Sequence, residues 1–294
     1  SGIENVSVSG AGYDIVSNLT LNSPPSVDSV EVDDVLEAPA NEIDLTPANK
    51  TRVSCSGVVN DYDGGNTISN ASALFFHHSS HVGDKDDNNY HYSNYSCRIN
   101  SSYGDIEEAK VECGLRVWYY ANSGKWNCTL DVRDNLTIAD NKSDKTKINT
   151  LLAVGVDSPI DFGTLSSYQV SEEVEANITN YGNVKTNLSL SGYAREEGDG
   201  LAMNCTGGNI SIEYEKFNLT KSNPGDISRE EFNAKYENLT SINPKIKKFN
   251  LDKREDDSIN KASNKTYWRI YLPGKTMGTC EGNVIIGAVQ LGGN

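Results

Sequence analysis

The chain has 294 residues, with 41 acidic and 26 basic side chains, a formal net charge of −15 and a pI near 4.7. This balance disfavours nucleic acid and anionic membranes as partners, because both are bound through clustered lysine and arginine. No apolar run approaches the ~18 residues that a membrane-spanning helix needs. The length suffices for two ordinary domains, each with a core of its own.

Residues 1–22 form a strand-prone segment ahead of the predicted domains. Two apolar faces follow one another in it, with a change of phase at the glycines of residues 10–12, and their members are Val6, Val8, Tyr13, Ile15, Leu19 and Leu21. At ~3.3 Å per residue, 22 extended residues reach about 70 Å. The prolines at 24 and 25 end the pattern. These six side chains are therefore candidate subunit contacts.

Residues 23–150 are predicted to form a first β-domain. Apolar alternation predicts strands over 51–59, 71–76, 111–120 and 125–132, separated by polar turns that contain glycine. Residues 151–294 are predicted to form a second one, with a short edge strand over Ile160–Leu165 and strands over 210–219, 245–251, 267–272 and 282–291. Ser228 followed by Glu231 matches a capping box and predicts a short helix within 222–241.

Three ordered motifs resemble immunoglobulin-like modules of secreted proteins. Val-x-Asp-x-Asp-Gly at 59–64 and Trp-x-Cys-x-x-x-Val-x-Asp at 126–134 resemble the PKD type, and Asp-Phe-Gly-Thr-Leu at 161–165 resembles a domain opening. Together with Met-Asn-Cys-Thr at 203–206 and Thr-Tyr-Trp-Arg at 266–269, the set is similar to secreted archaeal cell-surface proteins. The resemblance implies an all-β chain of two tandem immunoglobulin-like β-sandwich domains, located at the cell surface, glycosylated and without a catalytic role.

The six cysteines fit an oxidising compartment, with four in the first predicted domain and two in the second. An even number in each half is what disulfides closed within domains require, which favours Cys205–Cys280. The immunoglobulin pattern implies a cross-sandwich bond between Cys55 and Cys128, leaving Cys97–Cys113 to join a local hairpin. Other pairings among the first four stay open, and Trp118 and Trp126 are both candidates for the tryptophan of that pattern.

Sixteen Asn-x-Ser/Thr sequons predict a densely N-glycosylated surface. Where strand phase can be read, as at Asn127, Asn177, Asn187 and Asn209, the asparagine alternates with apolar residues and is expected to face outward. The acceptors are Asn5, Asn18, Asn49, Asn70, Asn94, Asn100, Asn127, Asn135, Asn141, Asn177, Asn187, Asn204, Asn209, Asn218, Asn238 and Asn264. The start at Ser1-Gly2, with no charged-then-apolar leader, fits a secreted protein after signal-peptide removal.

No cofactor is expected, although the sequence contains two kinds of candidate metal site. All four histidines, His77, His78, His81 and His91, lie within fifteen residues, but a strand would place His77 and His78 on opposite faces. Oxygen ligands for calcium alternate in two loops, at Asp61, Asp63 and Asn66 and at Asp84, Asp86, Asp87 and Asn88. Neither loop has the spacing of an EF-hand. An exposed polar turn is the simpler interpretation of both.

No nucleophile elbow or phosphate-binding loop is present, so no enzyme is expected. The leading hypothesis is a structural subunit of an extracellular filament, in which residues 1–22 add a strand to a neighbouring copy. Archaeal thread-like filaments are similar in their donor strands and dense glycosylation. Two alternatives stay open: the segment completes its own domain, or the protein is a monomeric or surface-layer-associated adhesin whose loops at 88–95 and Asn122 bind glycans.

Overall fold

The computed structural model describes residues 21–34, 41–136, 138–256 and 262–290. Within them the chain is an all-β protein of packed sheets, as predicted, with a single α-helix at Arg229–Lys235. The strands of the N-terminal half are β1 Ser26–Asp34, β2 Glu42–Ile43, β3 Lys50–Asn60, β4 Ile68–His77, β5 His91–Asn94, β6 Arg98–Asn100, β7 Glu108–Trp118, β8 Gly124–Asp134 and β9 Ile138–Ile148.

These nine strands form two sheets that pack face to face, the N-terminal sandwich. One sheet has the order β1-β3-β7-β6 and the other β2-β9-β8-β4-β5, and only the β2–β9 pair is parallel. Strict alternation along the eleven-residue β3, β7 and β8 turns one apolar row of each into a shared core. Trp126 is fully buried in that core and stacks on Phe75 with ring centroids 4.6 Å apart.

The C-terminal half holds shorter strands and the helix. They are β10 Val154–Val156, β11 Val174–Asn180, β12 Thr186–Tyr193, β13 Leu201–Gly207, β14 Asn209–Ser211, β15 Glu215–Asn218, α1 Arg229–Lys235, β16 Glu237–Asn238, β17 Lys245–Leu251, β18 Ser263–Ile270, β19 Met277–Glu281 and β20 Asn283–Val289. The sheet β10-β11-β18-β15-β16 faces two three-stranded sheets, β17-β12-β20 and β14-β13-β19, which together form the C-terminal sandwich.

Two strand predictions for this half are wrong. Residues 160–165 form no strand, because the Asp161 carboxylate accepts the backbone N–H of Gly163 at 2.9 Å and Gly163 has a φ of +68°. Both features turn the backbone away from extended geometry. The predicted strand over 210–219 is interrupted by a 3-10 turn at Ile212–Tyr214 between β14 and β15. In the five-stranded sheet of the C-terminal sandwich, the edge strand next to β11 is β10.

The predicted helix is confirmed at α1. The Ser228 side chain accepts the backbone N–H of Glu231 at 3.1 Å, and the Glu231 carboxylate accepts the backbone N–H of Ser228 at 3.1 Å. This reciprocal pair satisfies two of the amides that a helix start leaves without partners. The helix packs Phe232 beside Tyr236 and Tyr271 in a small cluster of buried aromatic side chains.

The two sandwiches meet around one lysine. The Lys253 ammonium donates to the Asn89 side-chain carbonyl at 2.8 Å, to the Tyr120 backbone carbonyl at 3.3 Å and to the Asn122 side-chain carbonyl. Burial at this junction lowers the pKa of Lys253 to about 8. The contacts of Lys253 show which end of each sandwich faces the other sandwich. The predicted domain limits of 1–22, 23–150 and 151–294 remain predictions.

Candidate functional site

The last described strand of the chain, β20, is a half-buried sheet edge. Among the described residues it pairs only with β12, and residues 284–289 are all partly exposed instead of alternating between core and solvent. Val284 and Ile286 still pack against the core of the C-terminal sandwich. An apolar strand with an unpaired edge of this kind is what proteins usually cover or protect.

A groove runs beside β20 into the C-terminal sandwich. Its inner part is a cavity of about 340 Å³ that includes Val156, Val284 and Ile286 in its lining. Its outer part is a cavity of about 740 Å³ that includes Phe162 and Leu165. Ile160 and Met203 line both parts, so the two are continuous. We call this feature the edge groove.

The local sequence explains why the edge groove is open. β10 ends after three residues at Val156, and the chain from 157 to 169 continues without a strand. Ile160 and Phe162 reach the core with only part of their surface buried. Where a full-length edge strand would close the sandwich, there is a loop that leaves space beneath it.

A buried acid lies in the inner cavity. Glu215, at the start of β15, is 2% exposed and lines the cavity together with apolar side chains. No hydrogen bond or ion pair links its carboxyl group to any described residue, and burial alone raises its pKa to about 8. The carboxyl oxygens are not among the fully buried atoms without a partner, so a group that enters the cavity can reach them.

The edge groove lies at the opposite end of the molecule from Asn22 and Ser23, near the start of the described residues. The Asn22 amide donates to Asp134 at 2.7 Å, and the backbone N–H of Ser23 donates to Asp63 at 2.6 Å. Both acceptors are at the end of the N-terminal sandwich away from Lys253. In the C-terminal sandwich the outer cavity surrounds residues 160–167 and 276–280, beyond the end of β18 that is remote from the junction.

The predicted subunit contacts lie almost entirely outside the described residues. Val6, Val8, Tyr13, Ile15 and Leu19 belong to residues 1–20, and their assignment stays a prediction. Leu21 is described and is 76% exposed. The chain therefore enters the described region without burying the last apolar residue of the segment.

The three disulfides have the expected pairing. Cys55 on β3 joins Cys128 on β8 across the N-terminal sandwich, Cys97 joins Cys113, and Cys205 joins its cross-strand neighbour Cys280. The fully buried tryptophan near the cross-sandwich bond is Trp126, as in the immunoglobulin pattern, whereas Trp118 is only partly buried. Three disulfides fit an oxidising compartment.

Most described sequon asparagines lie at the surface, and one does not. Asn187 is 7% exposed, so the expectation that it faces outward is wrong. Its side-chain oxygen accepts the backbone N–H groups of Phe249 and Asn250 at 2.8 and 2.9 Å, where the β12–β17 register shifts. The exposed acceptors are Asn49, Asn70, Asn100, Asn135, Asn141, Asn209, Asn238 and Asn264; the partly buried ones are Asn94, Asn127, Asn177, Asn204 and Asn218; Asn5 and Asn18 lie outside the described residues.

The candidate calcium ligands accept hydrogen bonds within their own loops. The buried Asp61 carboxylate accepts the Thr67 hydroxyl at 2.7 Å and the backbone N–H of Asp63 at 2.9 Å. The Asp84 carboxylate similarly accepts the backbone N–H of His81 at 2.8 Å. In the described part of the chain, no three side chains of His, Cys, Asp or Glu converge as metal ligands would.

The histidines are arranged differently from the sequence prediction. His77 and His78 lie with ring centroids 4.1 Å apart, because β4 ends at His77 and the chain turns there. The expectation that they lie on opposite faces is therefore wrong. The fully buried His91 contacts Asp86, with Nδ1 3.1 Å from a carboxylate oxygen.

No helix within the described ranges is long and apolar enough to cross a membrane.

Comparisons with known proteins give no family. No protein-family model matches the chain, and no curated protein matches it. Among solved structures, the complex of CsuC and the tip adhesion subunit CsuE from the archaic chaperone-usher Csu pili of Acinetobacter baumannii is 11% identical, with 88% of this chain and 99% of that chain covered and a TM-score of 0.34. A chaperone–tip adhesin complex of CFA/I fimbriae biogenesis is 10% identical, covering 91% and 90%, with a TM-score of 0.26. A marsupial T cell receptor is 10% identical, covering 88% and 71%, with a TM-score of 0.25. Scores this low carry no argument about function.

Proposed function

We propose that this protein is a structural subunit of an extracellular, glycosylated filament that assembles by strand donation. Residues 1–22 of one copy enter the edge groove of the next copy and pair with β20. The observation that carries the proposal is a sheet edge, β20, that pairs only with β12 among the described residues and that lines the inner part of the edge groove. Main-chain hydrogen bonds of the added strand supply affinity, and its alternate side chains supply register.

The sequence of the N-terminal segment complements this groove. On an added strand, Tyr13, Ile15, Leu19 and Leu21 share the face that turns towards the core. Asn18 falls on the opposite face, so a glycan on it stays outside the sandwich. The same phase relation holds for Asn5 beside Val6 and Val8 in the first half of the segment. The segment can therefore carry sugar and still insert.

The geometry favours donation to another copy over closure on the same chain. The segment leaves the N-terminal sandwich at Asn22, and the far side of that sandwich is one eleven-residue strand away, roughly 36 Å at ~3.3 Å per residue. Reaching the junction alone would use about half of the segment, and the outer part of its own groove lies further away, at the remote end of the C-terminal sandwich. A donor at one end and an acceptor at the other form a heterologous contact, which propagates into an open filament.

The remaining features of the proposal concern location and chemistry. Three disulfides fit assembly outside the cytoplasm, and exposed sequons fit a filament coated with N-linked glycan. We propose a self-associating protein that needs no cofactor and performs no catalysis; an unchanged melting temperature on adding EDTA would agree with the absence of structural calcium. The adhesin alternative places a glycan site in the loops at 88–95 and Asn122. The side chains of Asn89 and Asn122 accept hydrogen bonds from Lys253, so no observation favours that alternative.

The test combines a chain that lacks the donor with a chain that lacks the acceptor. Deleting residues 1–22 leaves a groove without a strand, and Ile286→Arg places a charge in the groove of a chain that keeps its strand. Electron microscopy is expected to find filaments of the full-length protein and none of either variant alone. Mixed in equal amounts, the two variants should form one-to-one complexes and nothing longer, because only one complementary contact remains.

Ile246→Arg is the matched control, since Ile246 is a half-exposed apolar residue on β17 and lies away from the groove. It should assemble like the unmodified protein. Circular dichroism of each variant establishes that it is folded before assembly is scored. Filaments formed by the chain that lacks residues 1–22 would refute strand donation. A full-length protein that stays monomeric, and whose groove does not bind the donor of the Ile286→Arg chain, would support closure on its own sandwich.

A further inference from the structure

The inner cavity of the edge groove has a chemistry that selects its occupant. Its walls include Val156, Met203, Val284 and Ile286, while Glu215 is the only titratable side chain among the described residues that line it. We propose that Tyr13 of a neighbouring copy inserts its ring into this cavity and donates its hydroxyl to the Glu215 carboxyl group. The inference rests on the proposed strand donation and specifies the register of the added strand.

A phenol satisfies both requirements of the cavity. The ring covers apolar walls, and a buried tyrosine hydroxyl needs a hydrogen-bond partner, which Glu215 offers. Because burial raises the pKa of Glu215 to about 8, the group is a neutral acid at pH 7. An uncharged hydroxyl is then a sufficient partner, and no cation is needed. The cavity volume of about 340 Å³ is large enough for an aromatic side chain.

Only one residue of the donor segment fits this description. Residues 1–22 contain no lysine, arginine, phenylalanine or tryptophan, and Tyr13 is their single aromatic residue. Ser17 shares its phase and also carries a hydroxyl, but it is too short to fill the cavity or to reach a carboxyl group that is 2% exposed. Tyr13 therefore combines the apolar surface, the length and the donor that the site requires.

The order of the two cavities agrees with this register. The donor strand comes from a neighbour whose Asn22 is fixed to its own N-terminal sandwich, so Leu21 must lie nearer the entrance than Tyr13. The outer cavity of about 740 Å³ lies at the entrance and the inner cavity beyond it. The eight-residue step from Tyr13 to Leu21 spans about 26 Å at ~3.3 Å per residue. Ile15, Leu19 and Leu21 then occupy the outer part, where Phe162 and Leu165 are available as apolar neighbours.

The experiment measures how fast full-length filaments dissociate in denaturant. The unmodified chain is compared with Tyr13→Phe, Glu215→Met and their double substitution. Ser17→Ala, alone and combined with Glu215→Met, is measured as the alternative pair. Tyr13→Phe removes only the hydroxyl and should speed dissociation about 5- to 10-fold, by loss of one hydrogen bond to a buried group. Glu215→Met leaves the tyrosine hydroxyl unpaired and should have a similar or larger effect. The double variant replaces both polar partners with apolar groups and should return to within about threefold of the original rate.

Rescue in the double variant distinguishes a direct contact from a merely structural role of either residue. Additive effects of the two substitutions would overturn the inference while leaving strand donation intact. Coupling of Glu215→Met to Ser17→Ala, and not to Tyr13→Phe, would assign the cavity to Ser17 and also overturn it. Absence of filaments from the unmodified chain would refute the proposed function itself, so the two failures are separable.

Discussion

The two sandwiches of this protein differ in how completely their apolar side chains form one core. In the N-terminal one, strands of both sheets contribute to a single connected core, and the Cys55–Cys128 disulfide joins the sheets. In the C-terminal one, the buried side chains divide into three clusters. Its disulfide joins adjacent strands, Cys205 on β13 and Cys280 on β19.

Strand length accounts for the difference. β3, β7 and β8 each run eleven residues and bury one face along their whole length. Strands of the C-terminal sandwich are at most eight residues long. Short edge strands occur in both sandwiches, since β2 and β6 have two and three residues and β10 has three. A closed sandwich gains its stability from its own residues, whereas an open one leaves part of its apolar surface to be buried by another segment. This difference makes the C-terminal sandwich the acceptor in our proposal.

Matched tryptophan substitutions should have the largest effect on the free energy of unfolding and test the difference between the two sandwiches. Trp126 and Trp268 are both fully buried, against Phe75 and Phe217 respectively. Replacing either with alanine should lower the free energy of unfolding of the unassembled chain by about 3–5 kcal/mol. In filaments the loss from Trp126→Ala should stay the same, and that from Trp268→Ala should be larger, because Trp268 lies in the cluster against which Val284 and Ile286 pack and its removal also weakens donor binding. Urea unfolding of both forms measures this, and equal losses in filaments would contradict the assignment of donor and acceptor.

The protonation of Glu215 should give the C-terminal sandwich a pH dependence of its own between about pH 4.5 and 8. Its pKa rises from an ordinary 4.5 to about 8 in the folded chain, so the folded state holds a proton that the unfolded state has lost. The free energy of unfolding should therefore fall as pH rises from about 4.5 to about 8, by a few kcal/mol in total, and change no further above that range.

Thermal unfolding at pH 5, 7 and 9 measures this dependence, with Glu215→Gln as the control. The variant removes the titrating group and keeps its size, so the difference between the two chains isolates Glu215 from all other groups. An identical pH profile for both chains would mean that the carboxyl group is solvated or paired in solution.

Regular alternation made the closed sandwich predictable from the sequence. The strands at β3, β4, β7 and β8 agree with the predictions to within a few residues, because one face of each is buried throughout. β9, with the polar sequence IADNKSDKTKI, was not predicted. It pairs with β8 along most of its length and buries few side chains, so its strand geometry comes from main-chain hydrogen bonds that composition does not reveal.

The groove was harder to predict because it depends on long-range placement. Ile160–Leu165 is apolar enough for a strand, and only the Asp161–Gly163 turn, a local hydrogen bond, prevents one. Glu215 follows the strand-like Ile-x-Ile-x-Tyr pattern and gives no local sign that it is buried. Asn187 likewise fits the outward phase of its strand until the bulge at β12 turns it inward. In each case a register shift, a turn or a distant element decides the environment.

The smallest effect should come from the cap of α1, and it separates the groove from the rest of its sandwich. Ser228→Ala removes the side-chain acceptor for Glu231, which should lower the free energy of unfolding by about 1 kcal/mol. The helix buries Phe232 in a cluster that excludes the groove residues, so filament assembly and its dissociation rate should not change. Ser101→Ala, at an exposed turn of the N-terminal sandwich, is the control; it keeps the Asn100 sequon and should alter neither quantity. If Ser228→Ala weakened assembly as much as Ile286→Arg, the acceptor would extend over the whole C-terminal sandwich instead of the groove beside β20.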